Sequence, residues 1–237
     1  MALKLNLRRK SKNKDSLSQK DLQSFLEGFS IEVMPKTASK ILDFGKILPK
    51  STYVYIAHLE GTPISDMVAT AKILQRAGFN AIPHFPARII ENKTVLEDWI
   101  KKYRSVGVNK ALIIAGSSKK PLGDYSNSME ILSTGFFEKY DFVEIFCAGH
   151  PEGNRDIDPD YGEKNVMNAL KWKKSFAEGT NIKISLTTQF CFEINPIIEW
   201  EKKLAQEDLH FPINIGIAGP AKLQTMIKYA ILCGVGP

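Results

Sequence analysis

The sequence predicts an α/β fold in which parallel strands alternate with helices. Seven short runs of apolar, β-branched and aromatic residues recur along the 237-residue chain, and segments with helical spacing lie between several of them. Strands that alternate with helices pair in parallel through right-handed crossovers. The seven predicted strands lie at 29–34, 52–57, 80–85, 110–116, 142–149, 182–190 and 213–219.

Helices are indicated by polar residues before a periodic apolar segment and by glycine after it. Ser65-Asp66 and Thr94 stand directly before two such segments, which end on Gly78 and Gly107. A third segment ends before Gly179, and a fourth follows the last strand. The sequence therefore predicts helices over 67–78, 95–107, 163–178 and 221–234.

The number and spacing of the strands suit a (β/α)8 barrel better than a short doubly wound sheet. No G-x-G-x-x-G follows the first strand, which argues against a dinucleotide fold of that type. The eighth strand has no candidate, because the last helix is followed by Pro237. We expect a basic, flexible tail over 1–20 and one barrel domain over 21–237. We expect that domain to lack its eighth strand at the carboxyl end, so that the chain is either a fragment or needs a partner chain or a second copy to cover two free edges.

Composition narrows the class of protein. The chain is 43% hydrophobic and 24% charged, and no apolar run reaches the ~18 residues of a membrane span. Its basic start has no apolar stretch behind it and makes a poor secretory signal. Three cysteines without paired spacing fit a reducing cytoplasm better than a disulfide framework or a zinc site. A net charge of +6 without a basic stripe favours small anionic ligands over nucleic acid.

Polar residues follow the predicted strands at their carboxyl ends, where barrels of this kind carry their chemistry. Ordinary roles are open to each of them, such as a surface position for Glu32 and turn positions for His84 and the 150–153 segment. A Glu32 carboxylate that points into a barrel would instead be partly desolvated, which raises its pKa and suits a general acid. The strand-end residues are Glu32, His58, His84, Ser117, His150, Glu152 and Gln189.

Six short motifs follow one another along the chain, five in or beside predicted strands and one in a predicted helix. They read FSIEVMPK (29–36), IPHF (82–85), AGHPEG (148–153), LKWK (170–173), TTQFCF (187–192) and NIGIAGP (214–220). Taken together they resemble the methylenetetrahydrofolate reductase family, which is a flavin-dependent (β/α)8 barrel. The resemblance runs from about Phe29 to Pro220, which is most of the chain.

The resemblance implies an acid and a flavin site. The family motif F-S-F-E-F-x-P-P carries its catalytic acid at the position of Glu32. Its P-H-L-T carries a flavin-contacting histidine at the position of His84, and its x-x-H-P-E matches the segment that starts at His150. Its L-K-x-K carries a lysine near the FAD phosphates, which corresponds to Lys173. Its T-Q-F-F-F carries a pterin-contacting glutamine at the position of Gln189, with Phe190 beside it.

The chain also departs from the family pattern. The family usually has Arg-Gly-Asp after the fourth strand, but this chain reads IIAGSSKK, so that Ser117 stands in place of an aspartate beside the flavin. Loss of that negative charge should raise the reduction potential, because reduced flavin gathers negative charge. Phe146 stands in place of the usual tyrosine on the fifth strand. The second strand ends YIAHLEG rather than in the family's Thr-Tyr-Gly type.

The implied activity is a cytoplasmic reaction of one-carbon metabolism on the route to methionine. FAD is held noncovalently, NADH or NADPH donates electrons, and hydride passes between the flavin and a one-carbon unit on tetrahydrofolate. Glu32 would protonate the folate amine nitrogen as the five-membered ring opens. Two alternatives stay open: a relative that oxidises 5-methyltetrahydrofolate in methyl-group catabolism, and a noncatalytic folate-binding or partner subunit.

Overall fold

A computed structural model of the protein describes residues 18–160, 162–219 and 221–233. All seven predicted strands are present there in one parallel sheet, whose strand order is the order in the chain. This confirms the α/β class and the parallel pairing. Most of the tail, Pro220 and Pro237 lie outside the described residues. The strands are β1 Ser30–Val33, β2 Tyr53–Ile56, β3 Asn80–Pro86, β4 Lys110–Ile114, β5 Glu144–Gly149, β6 Lys183–Cys191 and β7 Ile213–Ile217.

The four predicted helices are confirmed with shifted starts. The first of them begins at Ile64, so that Ser65-Asp66 lies in its first turn, and the second is capped by the side chain of Asn92 rather than by Thr94. A long helix after β6 was not predicted. The helices of the described ranges are α1 Gln19–Phe25, α2 Pro35–Ala38, α3 Ile64–Arg76, α4 Lys93–Ser105, α5 Ser128–Leu132, α6 Phe136–Lys139, α7 Lys164–Glu178, α8 Asn195–Gln206 and α9 Leu223–Cys233.

The sheet is strongly curled. Neighbouring strands lie about 4.8 Å apart, so four steps across a flat sheet from β2 to β6 would cover about 19 Å. Yet the hydroxyl oxygen of Tyr55 on β2 lies 3.0 Å from that of Thr187 on β6. The two side chains cannot bridge a flat sheet, so the strands wrap around a common interior that both residues enter.

Apolar side chains fill both faces of this sheet. The outer face packs against the helices in a large cluster that includes Val54, Ile113 and Leu186. The inner face carries a smaller cluster made of Tyr55, Ile82, Leu112 and Phe146, with Tyr53 and Ile114 beside it. Burial on both faces is the pattern expected of parallel strands and explains their nearly continuous apolar sequences.

The amino-terminal end of the interior is closed by a buried ion network. Glu144, whose side chain is 8% exposed, accepts hydrogen bonds from the ammonium groups of Lys110 at 2.7 Å and Lys183 at 2.9 Å. Ser185 donates a third hydrogen bond at 2.9 Å. These partners hold the pKa of the Glu144 carboxyl group below its usual range despite the opposing effect of burial. The network therefore joins β4, β5 and β6 at the amino-terminal end of the interior.

Both outer strands have a free edge within the described residues. β1 pairs with β2 and β7 with β6, and the sheet does not close between β1 and β7. Apolar side chains on β7 and α9 are correspondingly exposed: Ile215, Ile217, Leu223, Ile227 and Ile231. In the same part of the chain, the longest apolar helices fall short of what a membrane crossing requires.

Candidate functional site

The carboxyl ends of β1 and β3 bring Glu32 and His84 together. A carboxylate oxygen of Glu32 lies 3.5 Å from Nε2 of His84, where it makes an electrostatic contact but no well-formed hydrogen bond. The sequence left two positions open for Glu32, one on the surface and one inside the barrel with a partly desolvated carboxylate. The side chain is 60% exposed, because β1 is an edge strand. The curled sheet still partly surrounds the carboxyl group, and this desolvation raises its pKa.

His84 is a buried, neutral imidazole. Its exposure is 8%, and its Nε2 atom has no hydrogen-bond partner among the described residues. Burial, with a smaller contribution from His58, lowers the pKa of the imidazole to about 3. A neutral imidazole cannot stabilise the Glu32 carboxylate as a cation would, so the raised pKa of Glu32 is preserved. Unpaired buried polar atoms are uncommon, and this one lies 3.5 Å from the Glu32 carboxylate.

A second group of residues lies where β5 meets α7. His150 directly follows β5, and Lys173 projects from α7, with only 5% of its surface exposed. In the described ranges no ion pair involves Lys173, although buried lysines usually have an acidic partner. Burial and the nearby Lys173 charge lower the pKa of His150 to about 4. Its Nδ1 lies 3.4 Å from the side-chain amide of Asn154. This group is a neutral imidazole beside a cation without a counter-charge.

The segment between β5 and α7 is fixed by a buried carboxylate. Asp158, which is 6% exposed, accepts hydrogen bonds from the backbone N–H groups of Asn165 and Val166, each at 3.0 Å. These donors belong to the first turn of α7, which has no side-chain cap at its own N-cap residue. Asp158 therefore caps α7 from a distance and determines where this helix, and Lys173 on it, lies against β5.

Gln189 lies in an irregular part of β6. The β6–β7 register shifts between Thr187 and Phe190, and bulges of this kind redirect side chains. The Gln189 side chain is exposed, and its carbonyl oxygen accepts a hydrogen bond from the backbone N–H of Phe190. Gly216 on β7 permits this geometry, because a Cβ atom there would lie 2.8 Å from the Gln189 backbone. The ring of Phe190 packs edge-on against Phe192 at 5.6 Å.

An ion-pair and hydrogen-bond network joins the loops that follow four strands. Arg88, after β3, pairs with Asp156 at 2.6 Å and donates to the carbonyl oxygens of Ser118 and Ser126. The hydroxyl of Ser118 donates to Glu60, after β2, at 2.6 Å. These contacts fix one side of the site. The motifs did not reveal Arg88, although its position just after a strand is a signal that could have done so.

Three strand-end residues of the sequence belong to neither group, although the charge of one of them, His58, contributes to the lowered pKa of His84. His58 faces the helices instead of the interior: its ring packs on Trp99 at 4.9 Å, and its Nε2 lies 3.0 Å from the carbonyl oxygen of Thr62. Ser117 is exposed. Glu152 is exposed too, and its charge lies close enough to Cys191 to contribute to a raised thiol pKa, for which burial is the main cause.

The predicted site residues thus fall into separate groups. Glu32 and His84 form one, His150 and Lys173 form another, and Gln189 with Phe190 lies at the end of β6. No hydrogen bond or ion pair connects these groups in the part of the chain that the structure describes. All three groups lie at the carboxyl end of a strand or on the helix that follows one. A ligand large enough to reach from β1 to β6 could therefore contact all three.

Comparison with known proteins adds little to this geometry. No protein-family model matches the chain. Among solved structures, the chain is similar to one titled as the crystal structure of citrate synthase SbnG, with 10% sequence identity and a TM-score of 0.41. The similarity covers 90% of this chain and 94% of that chain. A similarity this distant transfers neither fold nor activity.

The arrangement can carry out a specific kind of chemistry. A carboxyl group with a raised pKa keeps its proton to a higher pH than an ordinary glutamate does and can release it to a bound base. An adjacent neutral imidazole can donate or accept a hydrogen bond without adding charge. A buried, unpaired ammonium group attracts an anion such as a phosphate. The site is therefore suited to proton transfer on a ligand that also carries a negative charge.

Proposed function

We propose that the chain is a flavin-dependent oxidoreductase that interconverts 5,10-methylenetetrahydrofolate and 5-methyltetrahydrofolate. In this proposal the curled sheet corresponds to seven strands of a (β/α)8-type barrel, and the site lies at their carboxyl ends. The observation that carries it is the Glu32–His84 contact, in which a carboxyl group of raised pKa lies 3.5 Å from a neutral imidazole. The motif order that resembles the methylenetetrahydrofolate reductase family supports the same assignment.

The residues present fit a dinucleotide flavin. Lys173 is a buried cation without an acidic partner among the described residues, as expected of a phosphate contact. The unpartnered Nε2 of His84 can hydrogen-bond to a polar ring edge. FAD would accordingly be held by His84, His150 and Lys173, with Ser117 beside its ring. The bound flavin would supply hydride donation and acceptance, with NADH or NADPH as the source of electrons.

The chain's own residues would bind and protonate the folate. In the reducing direction Glu32 gives its proton to the folate amine nitrogen as the five-membered ring opens to an iminium. His84 remains neutral throughout and leaves the proton on Glu32 until the folate arrives. Gln189 would hydrogen-bond to the pterin, and the half-buried ring of Phe190 would pack against it. The net charge of +6 attracts the anionic folate tail.

Two alternatives share the folate ligand. The reaction could run toward oxidation of 5-methyltetrahydrofolate, which the replacement of a flavin-side aspartate by Ser117 favours. Alternatively, the chain could be a noncatalytic folate-binding or partner subunit in the cytoplasm. The free edges of β1 and β7 favour the second alternative, because a second copy or a partner chain could cover them.

Flavin binding separates an enzyme from a binding subunit. The purified full chain is titrated into FAD while the flavin fluorescence is followed, and 5-methyltetrahydrofolate binding is measured separately by calorimetry. The proposal expects saturable binding of both. Folate binding without flavin binding would support the noncatalytic subunit, and absence of both would refute the folate assignment.

A further inference from the structure

The interior of the curled sheet is crossed by one side-chain hydrogen bond directly beneath the site. Tyr55 on β2 and Thr187 on β6 join their hydroxyl oxygens at 3.0 Å. Tyr55 is 5% exposed, so water competes little for this bond. Burial is the main reason that its pKa is raised above the usual value, so the phenol stays neutral and can act as donor or acceptor.

The Tyr55 ring also contacts the site itself. It packs edge-on against His84, with ring centroids 6.1 Å apart, and against Phe146 at 5.5 Å. The charge of Glu32 is close enough to contribute to the raised pKa of the phenol, although its effect is smaller than that of burial. Tyr55 therefore packs against His84 of the site, while its hydroxyl bonds to Thr187 on the opposite side of the interior.

An open sheet needs such a contact more than a closed barrel does. In a closed barrel the strand ladder fixes the width of the interior. Here β1 and β7 do not pair within the described residues. The backbone hydrogen bonds of the sheet therefore do not by themselves fix the distance across the interior. Within the described residues, β2 is the only strand that pairs with β1, which carries Glu32. Tyr55 on β2 lies directly opposite Glu32 in the β1–β2 register.

We propose that Tyr55 is a positioning residue that, through its bond to Thr187, sets the width of the site and the position of the Glu32–His84 pair. Loss of the bond lets β1 and β2 move away from β6 and admits more water around Glu32, whose side chain is already 60% exposed. This inference follows from the geometry of the interior and does not depend on flavin or folate binding.

The test uses substitutions that remove the bond and little else. Tyr55→Phe, Thr187→Val and the double variant are made in the full chain, labelled with ¹³C-glutamate. The Glu32 carboxyl signal is assigned from its disappearance in Glu32→Gln and is followed against pH. His84 and Tyr55, which face this carboxyl group from β3 and β2, stay neutral over the range where a glutamate titrates. The signal therefore reports Glu32 without a change in their charge.

Each single variant should lower the titration midpoint of Glu32 toward that of an exposed glutamate. Amide exchange in β1 should speed up by roughly 2- to 10-fold, the size expected for one hydrogen bond. The double variant should change no more than the larger single variant, because both substitutions remove the same bond. Tyr53→Phe is the matched control: it lies in the same strand and loses a hydrogen bond from Lys110, at the opposite end of the interior.

Three outcomes would overturn the proposal. In the first, the Glu32 midpoint stays unchanged in both Tyr55→Phe and Thr187→Val. In the second, it shifts equally in Tyr53→Phe, which would indicate general loosening. In the third, the two single effects add in the double variant. If Tyr55→Phe fails to fold, Thr187→Val alone decides, since it keeps the aromatic packing around Tyr55 intact.

Discussion

The carboxylate of Glu32 lies 3.5 Å from Nε2 of His84, although the two residues come from strands that are separated by β2. β1 and β3 lie two strand spacings apart, about 10 Å, and the two long side chains bridge that distance on the inner face of the sheet. The two environments affect the groups in opposite directions: desolvation raises the pKa of the acid and lowers that of the base. Both changes favour the uncharged forms of the two groups.

Acid should destabilise the protein through His84. Its pKa is about 3 in the folded chain, against 6.5 when exposed. Between pH 6.5 and pH 3 the unfolded chain binds a proton there that the folded chain does not bind. The stability that this neutral imidazole contributes is therefore full above pH 6.5 and falls as the pH falls, by up to about 1.4 kcal/mol per pH unit. Urea unfolding at several pH values measures it.

The control for this pH effect is His210, whose side chain is 70% exposed. His84→Gln should reduce the fall in the free energy of unfolding between pH 6.5 and pH 4, to which the buried His150 also contributes, whereas His210→Gln should change the slope far less. Equal slopes in wild type and His84→Gln would show that His84 is not the group responsible.

Lys173 should hold the phosphates of a flavin. Lys173→Met keeps most of the buried aliphatic chain and removes the charge, so the fold should be retained. FAD affinity should fall by about 1.5–3 kcal/mol, which is roughly 10- to 150-fold. The measurement is a fluorescence titration with FAD.

Lys171 provides the matched control for this substitution. It lies on the same helix, is 52% exposed, and pairs with Glu207 at 2.7 Å. Lys171→Met should leave FAD affinity unchanged. If Lys173→Met also bound FAD as tightly as wild type, Lys173 would be a structural lysine and the phosphates would be held elsewhere.

Removing the carboxylate of Asp158 should loosen the amino end of α7. Asp158→Ala leaves two backbone N–H groups without their acceptor, which should lower the free energy of unfolding by about 1–2 kcal/mol. Asp160→Ala, at an exposed position in the same loop, should change it by less than about 0.5 kcal/mol. Thermal unfolding compares the two. Equal stability of both variants would mean that α7 does not depend on this cap.

The strands could be predicted because their sequences are distinctive. Runs such as TYVYIA and KALIIAG are β-branched or aromatic and apolar on both faces, which few elements other than buried parallel strands require. Helix starts were less accurate: Thr94 lies inside α4, because the side chain of Asn92 accepts the hydrogen bond from Val95. α8 was missed, since Pro196 near its start reads equally well as part of a loop.

The site could be predicted only in part, because a residue's position at the end of a strand does not reveal which face of the sheet its side chain is on. Glu32 and His84 point into the interior, whereas His58, which also follows a strand, points outward to Trp99. The parity of positions along a strand separates these cases only once the register is known. Tyr55 and Thr187 were missed for a related reason: their bond depends on the curvature of the whole sheet, which no local pattern specifies.

The most direct measurement of the central claim is the reaction of reduced, flavin-loaded protein with 5,10-methylenetetrahydrofolate, followed anaerobically by the return of oxidised flavin absorbance. We expect rapid reoxidation in wild type and in Glu27→Gln, which changes an exposed glutamate before β1. Glu32→Gln should slow this step by about 10²–10⁴-fold, the usual effect of losing a general acid, while reduction by NADH or NADPH stays unchanged. Full folate reactivity in Glu32→Gln would show that Glu32 is not the general acid. No reaction in wild type would show that the chain does not carry out this hydride transfer.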